Sequence, residues 1–298
     1  MTRLMCHPQR VESADNAAQR LERGSILFYP TCPFPLPQGG DRKFLFQQEL
    51  GGRVHKNIAY DPSTGKASGF RRQSAAQSER LRGLLKQFAE NVTSWLTATL
   101  PAYASSWQLD RVSYRPQEEA TRQLRLTARN DLLHVDSFPT RPTGGARILR
   151  AFANINLTEP RVWITSHPFA RLLELYGNKA GLPNTVTPTL KQRLRAAAMR
   201  WLKPSMGHRS RYDDFMLRFH NFLKANEFFQ HQAATRWEFP PGSAWVVMTD
   251  TCSHAVLSGR FALEHSYFVP HEVLVLPEES PASLLRRASG VDVLHRAA

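Results

Sequence analysis

Only three cysteines, Cys6, Cys32 and Cys252, occur in 298 residues, and they form neither an even set nor a Cys-x-x-Cys pair. That argues against a disulfide framework and a zinc site, and it fits a reducing, cytoplasmic setting. Long apolar runs are missing: none approaches the ~20 residues needed to span a bilayer. Residues 1–19 contain no hydrophobic stretch of the kind a secretory signal requires. His-Glu-x-x-His is absent too, which disfavours a metal-dependent hydrolase. Negative charge is scarce, with 25 Asp+Glu against 39 Lys+Arg, a net charge of +14. Such an excess favours polyanionic partners. No helix-turn-helix, RNA-recognition or zinc-finger signature accompanies it, so nucleic acid is not expected. Arginine's bidentate fit to phosphate and carboxylate points instead to an anionic lipid or saccharide surface. A merely soluble basic surface is the plainer alternative.

Hydrophobic periodicity divides the chain. A short helix is expected over residues 14–23, ending at Gly24, then a strand over 25–30 stopped by Pro30. Residues 33–40 read as a turn-rich loop, and 56–62 as a loop with polar groups. The clearest helix covers 74–100, where Leu81, Leu84, Leu85, Phe88, Val92, Trp95 and Leu96 recur at three- and four-residue steps. Its apolar stripe is core. From residue 108 the period becomes two, predicting strands at 111–115, 123–127 and 147–156. Helical spacing returns over 168–230. Strands resume at 243–248, 255–257, 261–269 and 272–276. Strands on both sides of a helical insert predict a mostly β fold with helical additions. Its core would be a double-stranded β-helix (a cupin-like jelly roll), with an N-terminal helix and a helical insert. The expected organisation is one domain over 1–298. Residues 1–107 would be an α/β support, 108–167 and 237–277 the jelly-roll core, and 168–236 the basic insert.

His134-Val135-Asp136 carries the chemistry. Alternation puts His134 and Asp136 on one side of a strand or strand end. Two imidazoles and one carboxylate on one face of a metal leave three positions open, the requirement of a non-haem Fe(II) oxygenase. His254, at a strand start in Ser253-His254-Ala255-Val256, is the expected third ligand; His220, His231 and His265 compete with it. Such a site takes 2-oxoglutarate and O2 at the open positions, and the distal carboxylate of 2-oxoglutarate needs a cation. Arg260, six residues past His254, is the first candidate, with Arg150 and Arg147 as alternatives. Asn154 and Asn156 could add polar contacts.

Five segments resemble the Kdo 3-hydroxylase family, which acts on the inner-core sugar of lipid A. They are Leu21-Glu22-Arg23-Gly24-Ser25-Ile26-Leu27-Phe28, Lys56-Asn57-Ile58-Ala59-Tyr60-Asp61-Pro62, His134-Val135-Asp136-Ser137-Phe138-Pro139-Thr140-Arg141-Pro142, Gly145-Ala146-Arg147-Ile148-Leu149-Arg150 and Ser253-His254-Ala255-Val256-Leu257-Ser258-Gly259. The resemblance implies an Fe(II)/2-oxoglutarate dioxygenase that hydroxylates carbon 3 of 3-deoxy-D-manno-oct-2-ulosonic acid (Kdo) on lipid A, giving succinate and CO2. His134, Asp136 and His254 would carry over as iron ligands. Lys56, Asn57, Tyr60 and Arg141 fall in its motifs as candidate substrate contacts. It implies a site of action at the inner membrane of a Gram-negative bacterium.

Residues 189–203 suit that setting. Leu190, Leu194, Ala197 and Trp201 recur at helical spacing among Lys191, Arg193, Arg195, Arg200 and Lys203, the pattern of an interfacial anchor. The same stripe could pack on the barrel. Two other readings stay open: a 2-oxoglutarate oxygenase of another substrate, and a non-catalytic jelly-roll module that binds anionic saccharide or lipid.

Overall fold

The computed structural model describes residues 14–52, 56–183 and 209–294. The candidate interfacial helix at 189–203 lies outside them. The chain is mostly β with helical additions. Strands β1 (Leu27–Tyr29), β2 (Ile58–Asp61), β3 (Lys66–Ser68), β4 (Gln108–Arg115), β5 (Arg147–Asn154), β8 (Ala244–Met248) and β10 (Ala262–Val269) form one antiparallel sheet. Its order is β1-β8-β5-β10-β4-β2-β3. A smaller sheet, β7-β6-β9, contains β6 (Arg161–Pro168), β7 (Thr235–Phe239) and β9 (Cys252–Ser258). Neighbours in the sheets come from distant sequence: β5 lies between β8 and β10, and β6 pairs with β9.

Two layers cover the large sheet, so β5 is buried along its whole length. Alternate positions explain this. Leu149, Ala151 and Ala153 join the core under the long helix Ala75–Thr99, with Leu81, Leu85, Phe88 and Val92. The opposite face carries Phe152, which stacks on Trp245 at 5.1 Å and meets Trp163 of the small sheet edge-on at 4.9 Å. Phe239 stacks on Trp245 at 3.9 Å and closes this aromatic joint between the sheets. Arg150 projects from the same face as Phe152, but at the open end of the sandwich, where polar groups gather. Ser74 starts the long helix with a reciprocal capping box to Gln77.

The helical segment between β6 and β7 includes Phe169–Tyr176, Arg211–Ala225 and Glu227–Gln230. Phe169, Leu172, Phe215, Phe219 and Leu223 pack there on Leu133, Val135 and Ala255, so this second core supports the chain around His134 and His254. Among the described residues no helix is long and apolar enough to cross a membrane.

Several sequence expectations need correction. Residues 123–127 form no strand, because β4 already has β10 and β2 on its two edges; the chain turns through the 3-10 element Leu126–Ala128 instead. Residues 272–276 are not a strand either. Pro270 ends the pairing of β10, His271–Val273 is a 3-10 turn, and the N–H groups of Val275 and Leu276 donate to the Glu22 carboxylate at 2.9 and 2.7 Å. Conversely, the expected loop at 56–62 contains β2, paired with β3 and β4. The expected loop at 33–40 runs into the helix Gly39–Phe46. Neither β6 nor β7 was read as a separate strand.

Candidate active site

The backbone brings His134 and His254 together. His134, outside the named strands, forms an antiparallel bridge with His254 of β9, each N–H donating to the other's carbonyl. Two residues on, the Asp136 N–H donates to Thr249 O at 2.8 Å and anchors the carboxylate against the end of β8. The side chains converge. One ligand atom from each of His134, Asp136 and His254 lies within 4.8 Å of the others, and all three residues are buried. His134 Nε2 is 3.4 Å from Asp136 Oδ1, and His254 Nε2 is 4.0 Å from Oδ2.

Tautomers can be assigned from the partners. His134 Nδ1 lies 2.6 Å from Leu132 O, and His254 Nδ1 lies 2.9 Å from Cys252 O. A carbonyl can only accept, so both Nδ1 atoms carry the proton and both Nε2 lone pairs face the centre. This is the outer-shell arrangement that orients metal-binding histidines. Burial, followed by the positive charge of Lys224, pulls the His134 pKa well below its ordinary value. Burial lowers that of His254 as well, partly opposed by Asp136. Burial alone would raise the Asp136 carboxyl, but Arg150 and His134 outweigh it and hold it well below the carboxylate range. Two neutral imidazoles and one carboxylate are what a divalent metal requires, and Asp136 Oδ2, which meets the Arg150 charge, accepts no hydrogen bond. The residues therefore fit an Fe(II) centre.

A cavity of about 500 Å³ opens beside this group, lined by residues that include His134, Asp136 and His220. Its walls hold a buried network of charges. Arg150 Nη1 reaches Asp136 Oδ2 at 3.1 Å and Glu264 Oε1 at 3.3 Å. Glu264 also takes Arg115 at 2.6 Å, and Arg115 lies 3.4 Å from Glu119. Glu119 is 3.6 Å from Arg161 and 3.7 Å from Arg122. Burial opposes charge throughout, yet Arg115 is driven upward and Glu264 and Glu119 downward by their partners, so the network stays ionised. Asn57 Oδ1 and Arg150 Nε, on side chains lining the cavity, are buried without a hydrogen-bond partner.

The sequence matches the model of the 3-deoxy-D-manno-oct-2-ulosonic acid (Kdo) hydroxylase family over residues 6–292. The chain belongs to the Kdo hydroxylase family. Solved structures agree. The Kdo hydroxylase KdoO, a non-haem Fe(II) α-ketoglutarate-dependent dioxygenase, is 35% identical in its cobalt(II) complex, with a TM-score of 0.86, 98% of this chain covered and 95% of that one. Its complex with α-ketoglutarate and Fe(III) has 35% identity and a TM-score of 0.82, covering 95% and 92%. Its complex with succinate and Fe(III) has 34% identity and a TM-score of 0.84, covering 98% and 95%. No match was found among curated proteins.

Not every residue expected at the site of this family member lies there. Lys56, Asn57, Arg141 and Arg150 line the cavity, and Arg141 forms an ion pair with Asp110. Tyr60 does not: it is buried in the core beneath the long helix. Arg260 lies elsewhere, with its guanidinium 4.5 Å above the Phe261 ring and bordering a separate surface hollow. The reason is Gly259 (φ 112°) and Phe261 (φ 61°), which turn the chain sharply before β10 begins. Arg147 is fully buried against Asp250 at 2.8 Å, and Asn154 and Asn156 tie down the backbone after β5. Of the competing histidines, only His220 approaches, its ring edge-on to His134 at 4.9 Å. His231 bonds Glu227 O, and His265 bonds Tyr267. Sequence reasoning missed Glu264, Arg115 and Lys224. A lone Glu within the apolar run Ala262–Val269 was the available sign of a buried, paired charge.

Proposed function

We propose that this protein hydroxylates carbon 3 of a Kdo residue carried on lipid A. The enzyme class is Fe(II)/2-oxoglutarate-dependent dioxygenase, with Fe(II) as metal and 2-oxoglutarate and O2 as co-substrates. Succinate and CO2 are the co-products. One observation carries the reading: His134, Asp136 and His254 converge as neutral imidazoles and a carboxylate, and His134 and Asp136 line a basic cavity. Iron held there supplies the C–H oxidation that is coupled to decarboxylation of 2-oxoglutarate.

The chain's own residues bind and orient. Arg150 holds Asp136, while Leu132 and Cys252 fix the two imidazoles through their carbonyls. Lys56 and Asn57 offer a cation and an amide to a substrate bearing carboxylate, hydroxyl and phosphate groups, with the Arg141–Asp110 pair beside them. The net charge of +14 favours approach to an anionic lipid surface, the setting in which a lipid-borne sugar is met. Action at the inner face of a Gram-negative inner membrane is part of this reading.

The test is succinate release from 2-oxoglutarate and Fe(II), with and without Kdo-lipid A, followed by mass spectrometry of the lipid. The expected result is acceptor-stimulated succinate together with one oxygen gained on Kdo. Succinate without lipid modification would discard the acceptor, and no succinate from folded, iron-loaded protein would discard the reaction.

A further inference from the structure

We propose that Lys224, assisted by Lys56, is the receptor for the carboxylate of the sugar acid, an inference that rests on the hydroxylase reading above. Lys224 lies on the helix Arg211–Ala225 and Lys56 precedes β2, so two segments distant in sequence bring both lysines to one cavity. Lys224 is buried, and its Nζ donates to Thr127 O at 3.3 Å. The Lys56 backbone is held by Arg122, which donates to its carbonyl at 3.1 Å.

The cavity's other buried or partly buried cations already have carboxylate partners. Arg115 and Arg150 share Glu264, Arg150 also takes Asp136, and Arg141 takes Asp110. Arg111 and Arg125 are exposed to solvent. Among the described residues, neither Lys56 nor Lys224 has a carboxylate within ion-pair distance. A buried ammonium without a counter-charge is costly, and an anionic ligand would remove that cost. The strain is visible in both groups. Burial, then the charge of Lys56, pulls Lys224 down to about 8, and burial, then Arg115, does the same to Lys56.

The chemistry of the acceptor says where such a receptor must stand. In a 3-deoxy-2-ulosonic acid the acid carbon is carbon 1, only two bonds from the carbon to be oxidised. When carbon 3 faces the histidine–aspartate group, the carboxylate is held a few Å away. Lys224 lines the same cavity as His134, Asp136 and His220. An ammonium with three rotatable donors suits a carboxylate whose tilt changes as the sugar settles.

2-Oxoglutarate carries the same chemical group, so the experiment separates the two acids. Iron-loaded enzyme, Lys224→Met, Lys224→Arg and Lys56→Met are compared on a Kdo glycoside and on its methyl ester, with KM measured for acceptor and for 2-oxoglutarate. Lys224→Met should raise the KM for the acid acceptor about tenfold, equivalent to about 1.4 kcal/mol. Lys224→Arg should recover most of it, and Lys56→Met should show a smaller rise of the same kind. On the ester, wild type and Lys224→Met should differ little. A rise confined to the 2-oxoglutarate KM would assign the lysine to the co-substrate and overturn the proposal. Equal losses on acid and ester would also overturn it, reducing Lys224 to a scaffold residue. Succinate release by wild type with no oxidation of any Kdo acceptor would instead sink the hydroxylase reading, and this inference with it.

Discussion

His134 and His254 exchange both backbone hydrogen bonds, N–H to O at 3.1 and 2.9 Å, although 120 positions separate them in the sequence. Their rings consequently lie 4.7 Å apart, centre to centre. Side chains alternate along a strand, so a slip of one residue would present Ser253 or Ala255 in place of His254. The geometry of the two imidazoles is thus set by strand register, and the register is held by β6 alongside β9 and by Trp163 stacked on the His254 ring at 5.2 Å.

Asp136→Ala removes the carboxylate of the proposed ligand set and leaves that bridge untouched. Metal affinity should fall by more than the roughly 10–100-fold that losing an outer-shell partner costs. Iron-dependent turnover should disappear while the fold persists, since Asp136 sits at the cavity wall and not in an apolar core. Cobalt(II) titration followed by absorbance, alongside succinate release, measures both. Full activity in this variant would remove Asp136 from the ligand set.

Arg260 and Arg150 were both sequence candidates for a 2-oxoglutarate clamp, and the fold separates them. Arg260→Ala should leave the 2-oxoglutarate KM within about twofold and stability within ~0.5 kcal/mol, as for an ordinary surface change. Arg150→Ala leaves the buried Asp136 carboxylate without its cation and Glu264 with Arg115 alone, so activity should vanish and stability should drop by about 3–5 kcal/mol. Steady-state kinetics and urea unfolding distinguish these outcomes. A steep 2-oxoglutarate requirement in Arg260→Ala would show that the turn at Gly259 closes over the site in solution.

The contrast shows what the sequence could disclose. The β-sandwich with a helical insert was legible because its period changes near residue 108, and the long helix because its stripe and its Ser74 cap are local. The convergence of His134, Asp136 and His254 was expected from residue type and context. Arg260 was misplaced because counting residues from His254 cannot register the two left-handed residues that redirect the chain. Tyr60 lay in a motif shared with the family, but alternation in β2 turns it to the core side of the sheet. Lys224 and Glu264 gain meaning only from partners 97 and 149 residues away, Thr127 and Arg115. No local pattern encodes such pairs.

Gln230 is another residue whose role is purely spatial. Its Nε2 donates to Leu133 O at 2.9 Å and Leu223 O at 2.8 Å, and its Oε1 accepts the Leu133 N–H at 2.8 Å. The side-chain amide therefore acts as a strand partner on the side of residues 132–134 away from β9. Gln230→Ala should leave the buried Leu133 groups unpaired, costing about 1–3 kcal/mol. It should also weaken cobalt(II) binding, because His134 is the next residue. Gln230→Glu should be no better, since a carboxylate cannot donate to the two carbonyls. Stability loss with unchanged cobalt affinity would restrict Gln230 to the scaffold.

His265 gives the fold an acid-sensitive point away from the cavity. It is fully buried on β10, in a chain from Thr93 through Tyr267 at 2.9 and 2.7 Å. Burial pulls its pKa down to about 3, opposed only in part by a backbone hydrogen bond to Asp110 and by the charge of Glu264. Below the ordinary histidine value of about 6.5, the unfolded chain takes up a proton that the folded chain refuses until the pH nears 3. Stability from this residue is therefore whole above about pH 6.5 and is lost as the pH falls through that window. His265→Asn keeps an acceptor near Nδ1 and cannot be protonated. Between pH 7 and 4.5, wild type should lose about 2–3 kcal/mol more than His265→Asn in urea unfolding. Equal acid sensitivity in the two proteins would mean that His265 titrates as freely when folded as when unfolded, and that the buried carboxylates alone set the acid limit.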